Sequence, residues 1–144
     1  MQIRHYWLMI DHLNELINET ETVIAERSAT EPWRDALTFL MQLPGVGLYT
    51  GMTILAAIGE IQRFADPGKL VGYSGLGARF HASGDHYYTG KISKEGRSEL
   101  RAAFIASAWM AVRCPDHWRE LFQPLAKRIG KQKAITAIAR KLLA

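Results

Sequence analysis

Cysteine is nearly missing from this chain. Cys114 is the only one in 144 residues, which excludes an internal disulfide framework and any cysteine-rich zinc module and fits a reducing compartment. Long apolar runs are missing too. The best stretch, Ala102 to Val112, carries Ser107 and falls short of the roughly 18 residues a membrane span needs. The first residues lack the charged-then-apolar layout of a secretion signal, because Asp11, His12 and Asn14 follow at once. No internal repeat and no low-complexity tract is present. What remains is 48% hydrophobic and 22% charged, which excludes wholesale disorder. The length suits one compact domain of the usual ~100–200 residues.

Acid is scarce in the later part of the chain. Residues 1–40 carry three arginines against seven acids, a net charge of −4. Residues 41–110 carry seven bases against five acids, and residues 111–144 carry eight bases against two acids. An acidic first third therefore hides a basic remainder, which favours an anionic partner there. A solvated basic face without a partner is the alternative from charge alone.

The pattern predicts a mainly α fold. Ile10, Leu13, Ile17, Thr20 and Ile24 recur three and four residues apart, widened by Leu16 and Val23, so an amphipathic helix is expected from Tyr6 to about Ser28. It is short for an independent coiled coil and needs the domain or a second copy to pack on. Thr30 and Pro32 mark the start of a helix running to about Gln42. Pro44-Gly45-Val46-Gly47 stops it, and Leu48 to Ile58 resumes helical spacing with Gly59 as its C-terminal cap. A short buried helix is expected within Lys69–Ala78, and a small hairpin or ordered loop over 79–92. Ser93 reads as the cap of a strong helix with Leu100, Ala103, Phe104, Ser107 and Ala108 at helical spacing, ended by Cys114-Pro115-Asp116. Two more helices follow, near 116–128 and 132–143, divided by Gly130. The expected organisation is an extended N-terminal helix over 1–30 and a compact helical domain over 31–144.

Two segments carry chemical promise. The first, Leu43-Pro44-Gly45-Val46-Gly47 between two helices, is the pattern of a helix-hairpin-helix element spanning 36–58. Its glycines permit a tight turn, and free amides at the second helix's start suit a nucleic-acid phosphate. Gly45, Val46 and Gly47 are the expected contacts, with a plain helix hairpin as the alternative. The second runs from His81 to Arg101. Ser83-Gly84 lies between His81 and His86 and precedes Lys91, Lys94, Arg97 and Arg101. The last three are spaced to share one helical face and grip a phosphate. Cations of this kind would stabilise charge during attack of a serine on phosphorus, although a Ser-Gly pair taken alone is more often a turn. Asp85 is the only further ligand type between His81 and His86, and no cysteine is nearby, so a zinc site is not expected. Trp7, Trp33, Trp109 and Trp118 are expected in cores or interfaces.

These segments come with Ala57-Ile58-Gly59-Glu60-Ile61, Arg63-Phe64, Tyr73-Ser74-Gly75-Leu76, Gly90-Lys91-Ile92-Ser93-Lys94-Glu95-Gly96, Leu100-Arg101 and Ala139-Arg140-Lys141-Leu142-Leu143, in that order. The series resembles the C-terminal domain of the insertion sequence 110 transposases, grouped with 116 and 902. It covers about residue 35 to 144, with residues 6–30 similar to the helical segment before that domain. The resemblance implies a serine-dependent DNA recombinase of the prokaryotic cytoplasm. Its full-length members join an RuvC-like domain bearing acidic metal ligands to this one, follow a structured guide RNA and act as multimers. Carried over, Ser83 is the implied nucleophile, with Ser74, Ser93 and Ser98 as competitors. Lys91, Lys94, Arg97 and Arg101 are the implied phosphate contacts. The expected partners are DNA, a guide RNA and further copies joined through the N-terminal helix, with no membrane. Magnesium is implied at the RuvC-like domain and no cofactor in this chain.

Two departures qualify this. The chain leaves no room for an RuvC-like domain before residue 35, so by itself it is expected to be inactive, as a separated domain or a shortened gene product. Bases are also sparse over Asp85–Tyr88, as a degenerate copy with weakened DNA binding would have it. A non-catalytic helix-hairpin-helix module that binds nucleic acid is the second reading, and a helical oligomerisation module the third.

Overall fold

The computed structural model describes the backbone of residues 2–83 and 86–144, and their side chains except those of Gln2 and residues 80–90. Among the described residues the chain is mainly helical. It runs α1 (Gln2–Ser28), α2 (Trp33–Leu40), α3 (Leu48–Ile58), a 3-10 turn (Ile61–Arg63), α4 (Pro67–Tyr73), β1 (Ala78–Ser83), β2 (His86–Ile92), α5 (Ser98–Ala111), α6 (His117–Ile129) and α7 (Lys131–Leu143).

Helix α5 is the axis of the core. Its Leu100, Ala103, Phe104, Ser107, Ala108 and Ala111 are all buried. The small residues among them let α3 and α7 approach it closely, and both do. Ile54, Leu76, Leu100 and Ile138 are fully buried at the centre, each worth about 1.5–3 kcal/mol in removal from water. Helix α6 lies outside α7 and contributes a half-buried stripe of Trp118, Leu121, Phe122 and Leu125. Trp109 meets Phe122 edge-on at 6.1 Å. Asp116 caps α6 by accepting from the Trp118 amide at 3.0 Å, and Asp66 caps α4 by accepting from the Lys69 amide at 3.1 Å.

Helix α1 is different. Residues 3–20 are exposed throughout, Trp7 and Ile17 among them, although α1 touches α2 and α3. At 27 residues it is about 40 Å long. The apolar stripe read from the sequence is thus covered only in part: Leu13, Leu16, Ile17, Thr20 and Ile24 line a shallow recess with Tyr49 of α3 and stay largely open to solvent. Thr30 does not cap α2; its Oγ1 donates back to Arg27 O at 2.8 Å and so helps close α1.

The hairpin expected near 79–92 is present. β1 and β2 pair antiparallel from Ala78 opposite Ile92 to Ser83 opposite His86, with a bulge between Ala78 and Phe80. Gly59 ends α3 as expected, its amide donating to Leu55 O at 2.8 Å. The start of α5 departs from expectation. Ser93 caps no helix; its Oγ accepts from the Glu95 amide at 3.3 Å in a local turn. Lys94 at φ 58° and Gly96 at φ 139° lie outside helical backbone, so α5 begins only at Ser98.

Candidate nucleic-acid interface

The first candidate corner joins α2 to α3. Gly45 has φ 80°, and a Cβ there would stand 2.7 Å from both Met110 Cβ and Ser107 O. Its carbonyl accepts from Ser107 Oγ at 3.3 Å. Val46 is buried in the core. Those two residues thus seat the turn on α5. Gly47 faces open space and precedes α3 without any side-chain cap on that helix. Charge of both signs stands near this corner: Arg113 Nη1 lies 3.7 Å from the sulfur of Met110, the residue that faces Gly45. Glu21 of α1 shares a shallow recess with Tyr49, and the Tyr49 phenol is pushed up by partial burial first and by Glu21 second.

The second corner is the base of the hairpin, where α4 meets the strand ends and the start of α5. Backbone bonds lock it. The Ser93 amide donates to Gly77 O at 2.8 Å, Lys94 to Gly75 O at 3.0 Å and Arg97 to Tyr73 O at 2.9 Å. Arg101 Nη1 donates to Ser74 O at 3.1 Å and to Lys94 O at 3.3 Å. Gly96 is required here, because a Cβ would overlap the Tyr73 carbonyl. Arg79 completes the lock through Ser93 O at 3.2 Å and Glu95 Oε1 at 2.7 Å.

The cations grouped by spacing are therefore divided by the fold. Lys94 precedes α5, and Arg97 is its N-cap, one turn before Arg101, whose amide donates to Arg97 O at 3.2 Å. Arg101 is half-buried and its donors serve the backbone. Lys91 on β2, Lys94 and Arg97 are exposed, and none is within 4.0 Å of a carboxylate among the described residues. Two groups join them that spacing did not single out. Arg63 lies over the rings of Phe64 and Tyr73 at 4.7 and 4.6 Å, and Tyr73 accepts from Arg97 Nε at 3.0 Å. The Arg63-Phe64 and Tyr73-Ser74 pairs stand in the sequence as motifs, but nothing local says that they meet.

Ser83 ends β1. Its side chain, and those of His81 and His86, lie outside the described residues, as does the whole of Gly84 and Asp85. The competing serines are better defined. Ser74 is buried, donating to Val71 O at 2.7 Å and accepting from the Leu76 amide at 3.2 Å. Ser93 is engaged with Glu95, and Ser98 is exposed at the first residue of α5. No group of three or more His, Cys, Asp and Glu converges among the described residues. No helix among them is long and apolar enough to cross a membrane. An apolar groove of about 780 Å³, lined by Trp33, Phe39, Leu55, Ile61 and Leu143 among others, shares no residue with the cationic corner and has Glu60 as its one charged wall residue.

The model of the transposase IS116/IS110/IS902 family matches residues 37–123, from inside α2 to inside α6, and so takes in both corners and the hairpin. The chain belongs to this family. Its relatives include a transposase for insertion sequence element IS1111A of Coxiella burnetii, 29% identical over 88% of this chain and 37% of the relative. A pilin gene-inverting protein of Moraxella bovis is 31% identical over 98% of this chain and 43% of its own length. A probable family 20 transposase of Pseudomonas aeruginosa is 28% identical over 90% and 41%. The transposase-family chain thus spans well under half the length of these relatives.

Proposed function

We propose that this chain is the DNA-facing, nucleophile-bearing part of a transposase that exchanges strands through a serine, with Ser83 as the nucleophile. The observation that carries the reading is the hairpin base. Ser83 ends β1 in a hairpin whose root is locked to a corner bearing Lys91, Lys94 and Arg97, all exposed and with no carboxylate within 4.0 Å among the described residues. A nucleophile for DNA works where the strand is held and charge on it is stabilised; Ser83 lies five strand residues from that root, about 16 Å along β1, so the cations there would grip the backbone flanking the reacting phosphate. In the step we assign, Ser83 Oγ forms a bond to phosphorus while one P–O bond to a sugar hydroxyl breaks. The serine proton leaves with that hydroxyl. A hydroxyl of a second strand then reverses the exchange, releasing the serine, so the chemistry is balanced without hydrolysis.

The family resemblance adds an RuvC-like domain with magnesium, a guide RNA, and assembly of copies through α1. These belong to the whole enzyme, and none is drawn from this chain's own geometry beyond the exposed stripe of α1. A relative named for inverting a pilin gene fits a protein that rearranges DNA. Ser83→Ala in the full-length protein is expected to abolish excision and joining and the covalent protein–DNA adduct, while duplex binding persists. Normal joining by that variant would overturn the assignment. For α1, light scattering of Leu13→Asp/Ile17→Asp beside the wild type is expected to show smaller particles; equal mass would remove the oligomer from the proposal.

A second reading, a non-catalytic helix-hairpin-helix module, draws on the uncapped start of α3 at Gly47. The two readings differ in which corner holds the phosphate backbone.

A further inference from the structure

We propose that Arg63, Tyr73 and Arg97 form a preformed clamp for one phosphate of a nucleic-acid backbone, with the tyrosine holding both guanidinium groups in place. The inference rests on the nucleic-acid reading above and deepens it, naming Arg63 and Tyr73 where only Arg97 was expected.

The case comes from how four neighbouring arginines are used. Arg79 is neutralised by Glu95 at 2.7 Å, and Arg101 is committed to two backbone carbonyls. Arg63 and Arg97 are exposed and have no carboxylate within 4.0 Å among the described residues, yet both are held. Arg97 uses only Nε, toward the Tyr73 hydroxyl at 3.0 Å, which leaves the rest of its fork for an anion. The guanidinium carbon of Arg63 lies over both the Phe64 and Tyr73 rings, at 4.7 and 4.6 Å, which restrains the group while donors remain available. Tyr73 is itself fixed. Its hydroxyl donates to Ala57 O at 3.2 Å, its carbonyl accepts from the Arg97 amide at 2.9 Å, and its ring meets Phe64 at 5.3 Å.

Free arginines lose rotamer freedom when they bind, whereas these two have already lost it, and a planar fork matches a phosphate's oxygens. A shallow recess of about 310 Å³ opens beside Arg97, lined by Thr53, Ala56, Ala57 and Glu99. Glu99 is its one acid and weakens anion binding there. Both guanidinium groups hold the Tyr73 phenol below its ordinary value, the hydrogen bond from Arg97 first and Arg63 next, so the phenol reports on the clamp's charge.

The test is duplex-DNA binding by the whole chain from about 0.05 to about 0.2 M salt, with circular dichroism confirming that each variant is folded. Arg63→Ala and Arg97→Ala are each expected to weaken binding about tenfold and to lower the salt slope by about 0.9. The double variant is expected to lose no more than about twofold further, because both forks grip one phosphate. Tyr73→Phe keeps both charges and the ring but frees Arg97, so affinity should fall about threefold at an unchanged slope. Glu99→Gln should strengthen binding about twofold by removing a like charge. Unchanged binding by the single arginine variants, or additive losses of about a hundredfold with a slope lower by about 1.8, overturns the clamp.

A second arm keeps the two claims separable. Inorganic phosphate added to the wild type is expected to move the Tyr73 absorbance transition back up toward its ordinary position, and Arg97→Ala should abolish that movement. No DNA binding by the wild type, together with a phosphate-dependent transition, would sink the nucleic-acid reading and leave the clamp. DNA binding that ignores Arg63 and Arg97 would do the reverse.

Discussion

Two corners of this chain look alike in sequence, each with glycines between apolar helical segments, and the fold uses them differently. At the α2–α3 corner, Gly45 and Val46 turn inward to seat a helix pair on α5, and the charge nearby is of mixed sign, Glu21 beside Tyr49 and Arg113 beside Met110. At the hairpin base, Gly75 and Gly96 also turn inward, but the outward side carries Lys94 and Arg97, joined by Arg63. Glycine in both places serves close packing. Charge is what separates a structural turn from a surface suited to phosphate, because free amides alone give a weak site when an acid stands beside them.

The strongest way to break this comparison is at the glycines. Gly45→Val must adopt a positive φ and push into Met110 and Ser107. We expect a loss of about 3 kcal/mol or more, and a melting point lower by about 10 °C. Gly96→Val, which meets the Tyr73 carbonyl, should lose a comparable amount. Gly47→Ala, with extended backbone and open space around it, should stay within about 0.5 kcal/mol. Calorimetry on the three variants checks the ordering, and a Gly47 variant as unstable as the Gly45 one would refute the inward–outward division.

A smaller effect separates cations that hold the fold from cations that face solvent. Arg101→Ala leaves the carbonyls of Ser74 and Lys94 without their donor and should cost about 1.5–3 kcal/mol. The salt slope of DNA binding by the folded fraction should not change. Lys94→Ala removes an exposed ammonium and should do the opposite, with stability within about 0.5 kcal/mol and the slope lower by about 1. Denaturant melts beside salt titrations distinguish them, and a lower slope for Arg101→Ala would return that residue to the interface.

Much of this architecture was legible in the chain itself. The 3.6-residue periodicity located α1, α3, α6 and α7 to within a few residues, and Gly59 and Gly130 marked the ends they were read to mark. The strand-prone run of residues 86–92 declared the hairpin. The start of α5 was misread because Ser93 has the chemistry of a cap, while the positive φ of Lys94 follows from the lock onto Gly75 O, a contact remote in sequence. Helical spacing likewise grouped Arg101 with Lys94 and Arg97. Its true partners are carbonyls, and no side-chain pattern encodes those. The meeting of Arg63, Tyr73 and Arg97 was hidden for the same reason, since it depends on α4 folding back against the start of α5. Ser83 remains a reading from resemblance and from its place at the end of β1.

The finest probe of the comparison uses one tyrosine from each corner. Tyr73 is held below the usual tyrosine range by Arg97 and Arg63, and Tyr49 is held above it by partial burial and Glu21. Absorbance titration should therefore show Tyr73 ionising before, and Tyr49 after, an ordinary phenol near about pH 10, with Tyr73→Phe and Tyr49→Phe assigning the two transitions. The linkage has opposite signs. Through the Tyr73 window the unfolded chain holds the proton longer, so this group adds stability as pH rises. Through the Tyr49 window the folded chain holds it longer, so stability falls. Glu21→Gln should bring Tyr49 partway down and leave Tyr73 alone, since desolvation is the larger cause at Tyr49. If both phenols titrated together, the two corners would share one electrostatic environment, and the charge difference that assigns phosphate to the hairpin base would be gone.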